Sequence, residues 1–206
     1  MAISSGLAAM ALVGFSTLRA QAEFSDSVDR LKETVLAKRT EALTTVKSGG
    51  GTDANNVTIG KLLTFTRNSS VVQVQTLQTV NNFMPGNITS PAANQAVRVS
   101  AAAGDTSTFT MAWGLMFQDA QLTGPPLGSS WSGVTQVAFV RSATDGSLQT
   151  AVSRNGGFAT LSAGVYRYDD FLPNGAAVNL NFIDPTNKKA FLTIDPTRNG
   201  VTRKFQ

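Results

Sequence analysis

The sequence predicts an all-β protein: an antiparallel sandwich or barrel of about eight strands behind an N-terminal amphipathic helical arm. Three observations predict it. Ser and Thr make up about a fifth of the 206 residues and only 15% are charged, a balance that favours pleated, half-buried strands over a helical bundle. Beyond residue 57, short apolar or alternating runs are separated by turn formers with no helical stretch between them, which leaves no crossover helices for a parallel sheet. All three glutamates, Glu23, Glu33 and Glu41, lie in the N-terminal segment, and the composition changes at Ser48-Gly49-Gly50-Gly51. Residues 1–51 therefore read as leader, helix and Gly-rich joint, and residues 52–206 as the sandwich body.

The apolar run from Leu7 to Phe15 is too short to span a bilayer, so no membrane span is expected. It reads either as a helix packed on the body or on a neighbouring subunit, or as the apolar core of a secretory signal. Ala20-Gln21-Ala22 fits small-x-small cleavage. Against the signal stand the lack of Lys or Arg before the run and the position of Arg19. Ser25 or Asp26 is expected to cap a helix reaching about Lys47. In it Val28, Leu31, Val35, Leu36, Leu43 and Val46 form one apolar stripe. Acidic residues come early and Lys38, Arg39 and Lys47 late, the order that suits the helix dipole. Something must cover the stripe, either the body or a partner chain, and Val28, Leu31 and Val35 are its candidate subunit contacts. The triple glycine is the expected stop and joint.

In the body, Val71–Leu77 and Val97–Val99 alternate, and Thr108–Phe117 reads as one longer strand buried on both faces, with Trp113 in the core. Val134–Val140, Phe158–Leu161 and Val165–Tyr168 follow, and then a meander of Val178–Ile183, Ala190–Ile194 and Val201–Phe205. Turn formers such as Gly104-Asp105, Asp145-Gly146 and Pro173-Asn174-Gly175 lie between them. Ile183-Asp184-Pro185-Thr186 recurs as Ile194-Asp195-Pro196-Thr197, eleven residues later. Each copy ends a strand and starts a turn, since Pro presets φ and Asp bonds its own downstream backbone. Trp131, between two serines in a Gly/Pro/Ser loop, is a candidate contact side chain.

Cys and His are both zero. That excludes disulfides, thiolate nucleophiles, Ser-His-Asp triads and zinc sites on Cys or His. A phosphate-binding loop fails because Leu62 follows Gly60-Lys61 and Asn55 stands where the first Gly is needed. Asp119, Asp145, Asp169 and Asp170 have no partner that the sequence can place, and the repeated Asp184 and Asp195 read as turn starters. No calcium-loop spacing occurs. The sequons at Asn56, Asn68 and Asn87 match chance expectation for thirteen Asn. The expectation is a protein with no catalytic residues, metal or cofactor, and not an enzyme.

The net charge of +4 is carried by the C-terminal end, where Lys188, Lys189, Arg198, Arg203 and Lys204 face only Asp195. The plan of helical arm, Gly-rich joint and Ser/Thr/Val-rich body, with the strand and small-polar turn from Gln136 to Ser147, resembles coat proteins of small non-enveloped plant RNA viruses. That resemblance implies a jelly-roll subunit that assembles with its own copies into a virion shell and packages RNA without sequence readout. Lys38, Arg39, Lys47, Lys188, Lys189, Arg198, Arg203 and Lys204 would face the phosphates. One departure is the arm, where six cations are nearly balanced by five anions. The alternative is a secreted β-sandwich binding module, with Trp131, Tyr166 and Tyr168 as carbohydrate contacts.

Overall fold

The computed structural model describes residues 2–44, 58–79, 96–99, 106–122, 130–131, 133–141, 147–154, 158–162, 165–168, 177–195 and 200–205. Helix α1 runs unbroken over Ala2–Thr44. Ser25 and Asp26 are therefore interior residues, not caps, and the leader and the amphipathic helix are one element. The residues before Arg19 include many strong helix formers. Ion pairs one turn apart support the helix on either side of the expected boundary: Arg19 to Glu23 at 2.7 Å and Arg30 to Asp26 at 2.8 Å. The Ser27 hydroxyl donates back to the Glu23 carbonyl at 2.9 Å, so it joins the helix instead of starting one.

Among the described residues, thirteen strands in two antiparallel sheets follow. They are β1 (Thr58–Thr66), β2 (Val71–Thr79), β3 (Ala96–Val99), β4 (Thr106–Thr110), β5 (Met116–Leu122), β6 (Ser130–Trp131) and β7 (Val134–Arg141). After these come β8 (Leu148–Arg154), β9 (Phe158–Ser162), β10 (Val165–Tyr168), β11 (Val178–Ile183), β12 (Lys189–Asp195) and β13 (Gly200–Phe205). The first sheet has the order β8-β7-β1-β2-β3-β10-β9, and the second has β13-β12-β11-β5-β6. The outer edge of β2 is shared: β4 pairs with Val71–Gln75 and β3 with Leu77–Thr79. Within the first sheet β1 lies between β2 and the later strand β7. In the second, β11, β12 and β13 form the expected meander.

Thr108–Phe117 is not one strand. It breaks at a 3-10 turn, Ala112–Gly114, that carries the chain from the first sheet to the second. Trp113 (φ 55°) and Gly114 (φ 69°) are both left-handed there. A Cβ on Gly114 would also sit 2.9 Å from Pro185 Cγ, so glycine is required twice over. Trp113 pays the left-handed cost of roughly 1 kcal/mol or more and is 54% exposed, not in the core.

One core joins both sheets and the helix. The rings of Phe65 (β1), Phe117 (β5) and Phe182 (β11) pack mutually at 5.7–6.1 Å between centroids, where the first sheet faces the second. Helix α1 closes this space along one side, touching β1 and β7 of one sheet and β12 and β13 of the other. Phe24, Val28, Leu31, Val35 and Ala42 are buried in the common core. The expectation that Val28, Leu31 and Val35 form subunit contacts is thereby corrected: the chain's own body covers them. Each such side chain contributes about 1.5–3 kcal/mol by leaving water, which is sufficient reason for the stripe to fold back onto the body.

Candidate functional site

Of the eight cations expected to face RNA, the six among the described residues do not gather on one surface. Lys47 and Arg198 lie outside the described residues. Lys38 pairs with Glu41 at 2.7 Å, and Arg39 is half-buried on the same helix, its Nε enclosed without a hydrogen-bond partner. Arg203 stands opposite Leu192, on the inward face of β13, where it bonds Asp29 and Ser25 of α1. Its guanidinium lies 5.0 Å from the Phe205 ring centroid. Lys189 and Lys204 stand opposite Ile183 and Phe191, on the outward face of the second sheet. The side chain of Lys188 turns instead to a groove beside α1. Ion pairing inside the fold thus uses two of the expected phosphate contacts, and the sheet separates the others.

The candidate aromatic contacts are placed only by their backbones. Trp131 lies in β6 at the edge of the second sheet, opposite Ala120, and Tyr166 and Tyr168 lie in β10. Their side chains are outside what the structure describes. Among the carboxylates considered, Asp145, Asp169 and Asp170 lie outside the described residues. Asp119 accepts a hydrogen bond from the Asn181 amide on the neighbouring strand. Both line a polar cleft of about 420 Å³ with Gln118, Gln121, Lys189 and Phe191. Among the described residues no three acidic side chains come together.

Asp184 is a turn residue, as its motif implies. It is buried and accepts from the Thr186 backbone N–H, the Thr186 hydroxyl and the Lys188 N–H, each at 2.8 Å. The turn also places Asn187 at φ 66°, a region that Asn tolerates. Asp184→Ala is expected to destabilise the chain by about 2–3 kcal/mol, because it strands donors that folding has removed from water. Urea unfolding checks this, and Asp184→Asn is expected to fall between the two.

What the fold does assemble is an apolar surface where α1 leaves the body. Residues 13–19 are all exposed, so the helix projects. Val13, Phe15 and Leu18 on it are 65%, 75% and 68% exposed. At its root lies an open groove of about 790 Å³ lined by Leu18, Gln21, Ala22, Phe24 and Ser25 of the helix and by Lys188 and Phe205. The Phe24 and Phe205 rings meet at 5.7 Å. On the other flank Trp113 and Pro185 border a smaller cavity of about 150 Å³ with Ala20 and Glu23. Sequence reasoning did not single out Phe15, Phe24 or Phe205. The signal for the first was the absence of any charge from Met1 to Leu18. Nothing local marks the other two, which meet only through the packing of α1 on β13.

No helix among the described residues is long and apolar enough to cross a membrane. Comparison with protein-family models, curated proteins and solved structures found no match. The fold and this surface define a class: a β-sandwich with a long N-terminal helix that packs on the body beyond about Ala20 and is exposed over residues 13–19.

Proposed function

We propose that this chain is a structural subunit that assembles with its own copies through the free half of α1. One observation carries the reading. Val13, Phe15 and Leu18 are exposed on a helix whose next turns enter the core. Helices in proteins are stabilised mainly by packing of an apolar face, and exposed apolar surface marks an interaction site. Neighbouring copies supply cover without any further component.

The finer form of the proposal is a viral coat protein, with a jelly-roll subunit and a shell enclosing RNA. The antiparallel two-sheet body favours it, as do the net charge of +4 and the outward-facing Lys189 and Lys204. RNA contacts would then be phosphate contacts, with affinity falling steeply with salt and little preference for sequence.

Light scattering and electron microscopy of the full chain test the assembly. Oligomers or particles are the expected result, and a monomer at the highest soluble concentration overturns the reading. Phe15→Asp is expected to leave the melting temperature unchanged, because Phe15 does not pack on the body. It should weaken association at least tenfold, since burying one such side chain contributes about 1.5–3 kcal/mol. Gel shift with unrelated RNAs across a salt series tests the coat form separately. Salt-insensitive binding, or none, removes it and leaves the assembly untouched.

A further inference from the structure

We infer that the outer face of the second sheet carries a binding site for a neutral, hydroxyl-rich ligand, a saccharide, in the cleft around the Asp119–Asn181 pair. The inference goes beyond the assembly reading and stands without it, since the cleft shares no residue with α1.

The site is built by a departure from strand alternation. On β5, Phe117 and Ala120 are buried in the core, whereas the two residues between them, Gln118 and Asp119, both stay half-buried. The register gives the reason. Asp119 stands opposite Asn181 and Phe117 opposite Phe182, so two steps on β5 match one on β11. That is a β-bulge with Gln118 as its extra residue, and it lets Gln118 and Asp119 line the same outer cleft. Bulges re-aim side chains in this way and concentrate beside functional sites. Asn181 and Phe191 stand opposite each other on β11 and β12. With Gln121 and Lys189 they complete a cleft of about 420 Å³, within the range of about 300–1,000 Å³ that small-molecule sites occupy.

The pair at the centre is not a finished structural bond. Asn181 donates to Asp119, and because a carboxylate only accepts, the amide nitrogen must face it. Asn181 Oδ1 is then enclosed with no hydrogen-bond partner. Such an acceptor costs free energy, and a polar pair serving stability alone is satisfied at both ends. The next pair on the same face is of that complete kind: Thr193 donates to Asn179 at 2.5 Å and no enclosed acceptor is left over. Asp119 also has capacity to spare. Among the described residues Asn181 is its one donor, and a carboxylate offers about four acceptor positions.

The chemistry of the lining selects the ligand. The amides of Gln118 and Gln121 both donate and accept, as sugar hydroxyls do, and the Asp119 carboxylate can accept from two neighbouring hydroxyls at once. Phe191 supplies an apolar ring beside these groups, suited to the C–H face of a sugar. A metal ion fits poorly, because among the described residues no three acidic side chains come together. A phosphate fits poorly at the centre, where the Asp119 charge repels it. Lys189 at the rim serves a hydroxyl or a phosphate equally well and does not discriminate between them.

Saturation-transfer NMR on the full chain tests the site, with methyl glycosides of glucose, galactose, mannose and N-acetylglucosamine as probes. Transfer to at least one glycoside is expected, with affinity weakened about tenfold or more by Asp119→Ala and by Phe191→Ala, because each removes a group that meets the ligand directly. Gln121→Ala separates binding from folding. Gln121 lies outside the core, so an unchanged melting temperature with affinity weakened about threefold or more is expected. Transfer to none of the four glycosides, or transfer that survives all three variants, overturns the inference and leaves the assembly reading untouched. If the glycosides fail while a short RNA binds and Lys189→Ala abolishes that binding, the face is a phosphate contact and the saccharide site falls. Glycoside binding by a chain that light scattering shows to be monomeric supports the site and removes the assembly.

Discussion

Phe65→Ala is expected to remove about 3–5 kcal/mol of folding stability, the range for deleting a large buried aromatic side chain. Phe65 is fully buried and its ring meets both Phe117 and Phe182. These three are the point at which β1 of one sheet touches β5 and β11 of the other, so truncation opens a void that neither sheet can close alone. Domains are stable by only about 5–15 kcal/mol, and the variant should therefore sit near its unfolding threshold at physiological temperature. Urea unfolding measures the loss. Phe65→Leu, which keeps most of the volume, is expected to recover more than half of it. A loss below about 1 kcal/mol would mean that the aromatic trio does not hold the sheets together.

Gly60→Ala should be comparably severe for a different reason. A Cβ added at Gly60 would lie 2.0 Å from the Phe139 carbonyl oxygen and 2.9 Å from the Val140 Cα. Both are backbone atoms of β7, the partner of β1 across Gly60↔Val140, so no rotamer change relieves the clash. The strands must separate, or β1 must slip in register and turn its buried side chains to the wrong face. A loss of about 3 kcal/mol or more is expected, with amide exchange accelerated along β1 and β7 while the meander β11–β13 stays protected. Unchanged stability would show that the two strands are not in this register.

Strand β1 was not legible in the sequence, for a physical reason. Thr58–Thr66 has Ile59, Leu62, Leu63 and Phe65 buried and a glycine among them, so neither a period of two nor a period of 3.6 stands out. It is a central strand covered on both faces, and such strands do not alternate. The strand Leu148–Arg154 was missed as well. By contrast Val71–Leu77 and the C-terminal meander have one face inward and one outward, and their alternation made them legible. The burial pattern of β11, alternating residue by residue from Val178 to Ile183, is that signal made physical. The helix was legible in its second half, where an apolar stripe faces the core. Its first half was read as a separate leader because nothing in a local window distinguishes a helix that projects from one that is removed.

The same limit applies to the site. Trp113 lay in an apolar run and was assigned to the core, but the chain changes sheets there and the turn holds the ring outward. Arg203 was assigned to nucleic acid on charge alone, whereas the fold sets it against Asp29, 174 residues away in sequence.

Composition and periodicity alone established the antiparallel β class, the helical segment, the Asp-Pro turn, and the absence of imidazole and thiol chemistry. These depend on residues within one turn or one strand of each other, which a linear reading samples directly. The tertiary structure alone decided that the stripe of Val28, Leu31 and Val35 is covered by the chain itself, that the free apolar surface lies instead at Phe15, Leu18, Trp113 and Phe205, and that the cations are divided between faces. Those facts depend on which distant surfaces meet when the two sheets and the helix bury their apolar faces together, and that is a property of packing in three dimensions.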